Sequence, residues 1–395
     1  MSKIDDLIKQ YCPNGVEYKE LGDILDYEQP TRYIVKSARY DSNADTPVLT
    51  AGQTFILGYT FEKDGIYKAS KENPVIIFDD FTTSYHWVDF NFKVKSSAMK
   101  MLRPKPNFDG IFKYVLYAMG EIHYSPQDHA RQWISQYSKF KIPVPHPRVQ
   151  EEIVKVLDTF TALEAELEAE LEARKRQYEY YRNKLLTFDE NTTGGDKIKF
   201  MQLGDVGTFI RGNGLQKKDF TDTGVGCIHY GQIYTYYGTF AERTKSYVSN
   251  ELAEKLKKAR TGDLIIATTS ENVEDVGKAV AWLGDENICI SGDAFIYHHN
   301  QNPKYMSYLF QTNSFFEQKK KCITGVKVMR INDVAMSKFK FGFPPIEEQE
   351  RIVAILDKFD SLVNDISEGL PAELTARRQQ YEYYRNKLLT FDEAA

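Results

Sequence analysis

The stretch QYEYYRNKLLTFDE stands at Gln177–Glu190 and again at Gln380–Glu393, identical at all 14 positions. Working outward, each copy is preceded by a second match, QEEIVKVLDTF from Gln150 and QERIVAILDKF from Gln349. Before those stand SKFKIPVP from Ser138 and SKFKFGFP from Ser337. The entries to the upstream globular segments also echo, VEYKELGDI from Val16 and IKFMQLGDV from Ile198. The chain is therefore one unit written twice, a globular segment followed by a helical arm.

The arms read as helices. Ile153, Val156, Leu157, Phe160, Leu163, Leu167 and Leu171 recur at steps of three and four, and Tyr178, Tyr181 and Leu185 continue the stripe. In the second arm Ile352, Ile355, Leu356, Phe359, Leu362, Ile366, Leu370 and Leu374 do the same, followed by Tyr381, Tyr384 and Leu388. Spacing near 3.5 residues is a coiled-coil seam, with the intervening Glu, Lys and Arg on solvated faces. From about Val149 to Phe188 the first arm would run roughly 60 Å, enough to hold two domains apart. Pro143, Pro145 and Pro147, and Pro344 and Pro345, mark the entries. Phe160 to Gln177 is 17 residues but Phe359 to Gln380 is 21, and the extra turn contains Gly369 and Pro371. A continuous first arm and a second arm broken near 369–371 are expected.

A seam needs only apolar class, so the identical polar residues Glu179, Arg182, Asn183 and Lys184 ask for another reason. One partner protein bound twice about a pseudo-twofold axis would supply it. The partner-binding candidates are Tyr178, Tyr181, Arg182 and Lys184, with Tyr381, Tyr384, Arg385 and Lys387.

The expected layout is a first recognition domain at 1–147, arm one at 148–190, a linker at 191–197 containing NTTGGD, a second domain at 198–344, and arm two at 345–395. Strands are expected at Pro74–Phe78, Phe90–Lys95, Asp263–Thr268 and Lys278–Leu283, and helices at Ile111–Met119 and Pro303–Phe316. The fold class is α+β, with two domains of curved mixed sheet, two long helices in an antiparallel coiled coil, and a pseudo-twofold repeat. The interiors of the two domains have little in common, as two different readers on one ruler would.

The 395 residues carry a net charge of −5, which at first sight opposes nucleic-acid binding. Split by the repeat, residues 148–190 and 345–395 carry −4 and −5, while 1–147 carry 0 and 191–344 carry +4. The domains are thus open to phosphate contact. No apolar run approaches 18 residues, MSKIDDLIKQ lacks a signal core, and the four cysteines are scattered, so a cytoplasmic protein without disulfides is expected.

Catalytic signatures are missing. A methyltransferase should carry a glycine-rich cofactor loop and an Asn/Asp-Pro-Pro-aromatic motif. Asn302-Pro303-Lys304-Tyr305 lacks the second proline and reads instead as a helix cap with proline in the first turn. There is no Walker loop and no nucleophile elbow, and His298-His299 lacks a ligand partner at metal spacing and reads as a surface loop. No catalytic residue, metal or cofactor is assigned to the chain. What recurs is polar–aromatic loop sequence suited to base edges and phosphates. In the first domain the DNA-binding candidates are Arg32, Tyr33, Gln53, Tyr59, Thr82, Thr83, Ser84, Tyr85 and His86. In the second they are Arg211, Asn213, Lys217, Lys218, Tyr230, Gln232, Tyr234, Thr268, Thr269, Ser270, Lys327 and Arg330. Lys319–Lys321 reads as the solvated face of a helix end.

SKFKIPVPHPRVQEEIVKVLDTF, SKFKFGFPPIEEQERIVAILDKF and the two QYEYYRNKLL copies together resemble the specificity subunit of type I restriction–modification systems, over essentially the whole chain. Thr261-Gly262-Asp263-Leu264-Ile265-Ile266 looks like the family's glycine–aspartate strand. The loop after it departs from the pattern, reading Thr268-Thr269-Ser270-Glu271 without glycine, and the first domain reads Glu72-Asn73-Pro74 where the pair should stand. The resemblance implies two target-recognition domains reading a split double-stranded DNA site. It further implies two modification subunits carrying S-adenosylmethionine, motor–nuclease subunits for cleavage, and no catalysis by this subunit. The alternatives are the recognition subunit of another multi-subunit methyltransferase and a self-contained DNA methyltransferase.

Overall fold

A computed structural model describes residues 2–52, 54–189 and 198–394. Gln53 and the NTTGGD link lie outside the described residues. The chain forms two compact units, Met1–Leu167 with Leu374–Ala395, and Glu168–Glu373. Each unit therefore combines one globular domain with parts of both arms.

In the first unit the main sheet contains β1 (Leu25–Glu28), β2 (Val75–Asp79), β3 (Tyr85–Val88) and β4 (Met99–Pro104). The spatial order is β1-β4-β2-β3, antiparallel throughout. Val75, Ile76, Ile77 and Phe78 are all fully buried. Their unbroken apolar run is what a strand covered on both faces requires. Alternation sends Ile76 and Phe78 toward a core built with helix α1 (Phe112–Met119) and the start of helix α2 (Pro147–Leu186). Val75 and Ile77 face a second core with Leu49, Phe92 and Met101. That core is shared with a small mixed sheet of Thr46–Leu49, Ile56–Thr60 and Lys93–Val94.

The second unit repeats the scheme. Strands β5 (Gly207–Arg211), β6 (Leu264–Ala267), β7 (Ala279–Trp282) and β8 (Ala294–His299) lie in the order β5-β8-β6-β7. Phe240–Ala241 adds a fifth strand parallel to β7. Leu264 and Ile266 face one core, Ile265 and Ala267 the other. A second, four-stranded mixed sheet of Ser246–Val248, Val225–Ile228, Ile288–Ile290 and Lys258–Ala259 completes the domain. Helices α3 (Pro303–Leu309), α4 (Asn313–Lys320) and α5 (Ile346–Asn364) follow, and α6 (Leu370–Leu389) belongs for most of its length to the first unit.

Helix α2 runs 40 residues without interruption. In the first unit it pairs antiparallel with α6: Phe160 stacks on Tyr384 at 5.4 Å, and four residues further along Glu164 accepts from Arg378. In the second unit its C-terminal part packs on α5, where Phe359 stacks on Tyr178 and Tyr181.

The same bonds tie each domain to its arm. Tyr117 donates to Asp158 at 2.5 Å and Tyr308 to Asp357 at 2.7 Å. Lys113 pairs with Asp158 and Lys304 with Asp357. The fully buried amides of Gln150 and Gln349 each bridge two backbone segments. Gln150 donates to the Pro145 carbonyl and accepts from Ile111 N–H, and Gln349 donates to the Pro344 carbonyl and accepts from Asn302 N–H. A buried amide able to donate and accept satisfies the orphan groups where a proline-rich strand turns into a helix.

Several expectations are corrected. The 303–316 segment is two helices, because Thr312 caps a new one with its side chain on Phe315 N–H; Asn302 caps the first, with Pro303 in its first turn. The second arm stops earlier than Gly369–Pro371. Helix α5 ends at Asn364, Asp365 folds its carboxylate onto Ser367 and Glu368 N–H, and Pro371 sits inside the first turn of α6, where no intrahelical donor is lost. Of the expected strand at Phe90–Lys95, only Lys93–Val94 is paired as a strand. His298-His299 is not a surface loop but the end of β8. His298 meets the buried Asp263 at 2.5 Å, and burial holds His299 down to about 4, hence neutral. Lys319 is buried rather than solvated.

Candidate nucleic-acid interface

In the second domain, residues far apart in sequence converge on two neighbouring clefts. Lys217, Tyr230, Gln232, Tyr234, Thr269 and Ser270 line one of about 420 Å³. Arg211, Thr268, Thr269 and Arg330 line the other, of about 310 Å³. The clefts meet where the short strand Thr269–Ser270 pairs with Met329–Arg330. The turn between β6 and β7 supplies the floor: Thr268, Thr269 and Ser270 are nearly buried, leaving Glu271 and Asn272 at its rim. Tyr234 donates to the Thr269 carbonyl at 2.6 Å, and Thr269 Oγ1 approaches Asp293. Burial and the nearby Asp275 raise the Tyr234 hydroxyl, so it remains a donor. Arg211 is aimed by the Gly292 carbonyl at 2.9 Å, with Asp293 3.9 Å away. Lys218 and Lys327 are exposed beside them. The cleft wall thus offers cations, hydroxyls and an aromatic rim, groups that meet phosphates and base edges, together with the carboxylates of Glu271, Asp275 and Asp333.

Some candidates serve the scaffold instead. Asn213 braces a loop, donating to the Lys255 carbonyl and accepting from Lys257 N–H. Gln232 lines the cleft, but its amide is spent on His229 N–H and Ser246. Glu271, Asn272, Asp275 and Val328 also line the first cleft and lay outside the candidate set. Asn272 and Asp275 hold each other across the turn, each through a side-chain acceptor. Their Asx-turn spacing was the available signal.

The first domain gathers fewer of its candidates. Thr82, Thr83 and Ser84 form the turn between β2 and β3, with Thr83 at φ 61°, the left-handed conformation that a threonine rarely adopts. His86 stacks on Phe55 and meets the Gly52 carbonyl, which joins the 50–55 loop to β3. Strand alternation puts Tyr85 on the other face, against the arm-side core, where burial pushes its hydroxyl up to about 12. Arg32 and Tyr33 turn to Glu28, and Tyr59 stands half-exposed on its own strand.

The arm candidates divide in the same way. Tyr178 donates to Asp360, Arg182 lies over the Tyr178 ring and reaches Gln311, and Asn183 accepts from Asn313 N–H. In the second copy Arg385 lies over the Tyr381 ring and donates to Glu121 at 2.6 Å, and Asn386 donates to the same carboxylate. Each copy docks beyond the end of a helix in the domain that shares its compact unit, copy 177–190 on the second domain and copy 380–393 on the first, which accounts internally for much of the sequence identity. Left exposed are Tyr180 with Lys184 over its ring, and Tyr383 with Lys387 over its own.

Two open-sheet domains, each packed on helices of both arms, and in the second a polar cleft that carries both cations and carboxylates are the features of a duplicated recognition protein. Residues 13–173 and 195–376 each match the family described as type I restriction modification DNA specificity domain. The Escherichia coli type I restriction enzyme EcoR124I/EcoR124II specificity subunit is 40% identical over 402 residues, 99% of this chain and 98% of that one. The fold is that of a type I restriction–modification S subunit from M. genitalium, with TM-score 0.55, 14% identity and 95% and 96% of the two chains covered. A chain from a study of complex assembly and conformational transition of the type I R-M system matches with TM-score 0.57 and 16% identity over 95% and 98%. The chain belongs to the type I DNA specificity family, as a specificity subunit of a type I restriction–modification system. No described helix is long and apolar enough to cross a membrane.

Proposed function

We propose that the chain reads a bipartite, asymmetric double-stranded DNA site, each domain reading one half with the turns and clefts at the end of its main sheet. The observation that carries this is the convergence of Arg211, Lys217, Tyr230, Thr269 and Arg330 from four separate stretches onto adjoining clefts. The subunit does no chemistry of its own. It works in the cytoplasm, docking two modification subunits that carry S-adenosylmethionine, with motor–nuclease subunits joining for cleavage. The exposed Tyr180–Lys184 and Tyr383–Lys387 pairs are the docking points for the two modification subunits, since both copies leave them exposed in the same way. The test for DNA reading is exchange of residues 198–344 for the equivalent domain of a relative, followed by mapping of methylated bases. One half-site changes and the other survives. A change in both halves overturns the two-reader reading, and methyl transfer by the purified chain alone overturns its non-catalytic role.

A further inference from the structure

Each main sheet carries one hairpin turn in the equivalent place, 79–84 between β2 and β3 and 268–278 between β6 and β7. Both turns are held from beneath by a buried lysine, and the two lysines come from unrelated elements. In the second domain Lys319, 4% exposed near the end of α4, donates to the carbonyls of Glu274 and Val276 at 2.6 and 2.7 Å. Its stem lies along the turn as well: a Cβ on Gly277, whose φ is +83°, would meet the Phe315 ring at 3.4 Å and Lys319 Cδ at 3.6 Å. In the first domain Lys100, 1% exposed on β4, reaches the equally buried Asp80 at 3.2 Å. Asp80 accepts from Trp133 N–H with its other oxygen and from Gln132 N–H with its carbonyl. Asp79 beside it accepts from Phe81 and Thr82 N–H, which fixes the turn that carries Thr83.

We propose that Lys319 and Lys100 are positioning residues for DNA readout, each fixing the hairpin turn of its own domain so that the turn admits one set of base edges. This rests on the reading of those turns as DNA-facing. The chemistry of the clamps explains why lysine stands there. A turn's carbonyls converge on a point, and an ammonium with three donors on a long stem can join two of them from a separate helix. Among the described residues no carboxylate is within ion-pair reach of Lys319; burial lowers its amine to about 8 although the charges of Asp275 and Glu274 act the other way, so the charged form is held at a cost to folding. The ordering it provides lies directly under Glu271, Asn272 and Asp275 on the cleft rim. Binding sites held by rigid supports discriminate better than loose ones, because a misplaced group costs the wrong base nothing extra.

The experiment uses the full chain assembled with its modification subunits, with methylated motifs mapped across a host genome. Lys319→Met leaves the thermal midpoint of the complex within a few degrees and raises methylation of near-cognate sites by about tenfold in the second domain's half-site, while the other half stays strict. Lys100→Met takes from the buried Asp80 its nearer cation, leaving Arg131 at 3.9 Å, so Lys100→Met with Asp80→Asn is the companion, and it relaxes the first domain's half-site alone. Asn272→Ala and Thr82→Ala, on the turns themselves, separate the two levels of inference. If they relax a half-site and the lysine variants do not, positioning is overturned and the DNA-facing turns stand. If none of the four alters either half, the reading of the turns is itself wrong. Equal loss in both halves, or a lowered midpoint with a strict motif, marks the lysines as ordinary supports and overturns the proposal.

Discussion

In one unit Tyr117 reaches Asp158 and Gln150 joins Pro145 to Ile111, while in the other Tyr308 reaches Asp357 and Gln349 joins Pro344 to Asn302. Where domain meets arm, the two halves are the same structure. At the far end of each main sheet they differ: one turn is set by a buried ion pair, the other by an ammonium on backbone carbonyls. The anchor must satisfy one geometry twice, so its residues recur. The readers must discriminate different surfaces, so only the strand order that presents them recurs. Specificity can then drift without disturbing assembly, as the separation of the two sets of contacts allows.

The strongest way to break the comparison is at the anchor. Leu157 and Leu356 are equivalent and both fully buried. Leu157→Ala and Leu356→Ala should each cost ~2–5 kcal/mol. Amide exchange resolved to each unit should show the loss in the unit that carries the change, with matching size; a much smaller loss in one unit would mean the anchors are not equivalent. A middle-sized effect is expected at the exposed arm residues. Tyr180→Ala with Lys184→Ala, or Tyr383→Ala with Lys387→Ala, should weaken one of the two docking events about tenfold, ~1.4 kcal/mol. Native mass spectrometry should find one modification subunit retained with either pair changed and none with both changed; two retained in the fourfold variant would exclude these residues as docking points.

The smallest effect should distinguish the units by pH. His299 is held at about 4 by burial, below its usual 6.5. The unfolded chain therefore binds the proton first, and stability present above pH 6.5 drains away as pH falls toward 4. About 1 kcal/mol should be lost between pH 6.5 and 5.5 in urea unfolding of the second unit. His299→Phe should flatten that segment of the profile, and an unchanged slope in the variant would assign the pH dependence to other groups.

How much was legible depends on the range of the interaction. Most of the helical seam, the Asn302 cap and the buried strand 75–78 are local patterns that stand where their spacing put them, but Leu163 and Leu362 are exposed and Ile366 falls in the break between α5 and α6. The identity of the arm repeats was legible too, but not its reason: Arg182 and Arg385 look like partner-facing cations until Gln311 and Glu121 are seen beneath them. Lys319 reads as solvated for the same cause. Its neighbours Lys320 and Lys321 suggest a solvated helix end, and nothing nearby in sequence announces the carbonyls of 274 and 276. Tyr85 and His86 read in sequence as one candidate patch, whereas a strand sends adjacent side chains to opposite faces.

By itself, the sequence determined the duplicated plan and the two helical arms, because periodicity and repetition are properties of the chain order. It also determined where the charge resides, which kept nucleic acid open as a partner. Only the tertiary structure decided which polar residues are exposed and which are consumed internally. Contacts such as Lys319 to Glu274 or Tyr178 to Asp360 join residues 45 and 182 positions apart. Such partners are chosen by sheet order and helix packing, which no local spacing encodes.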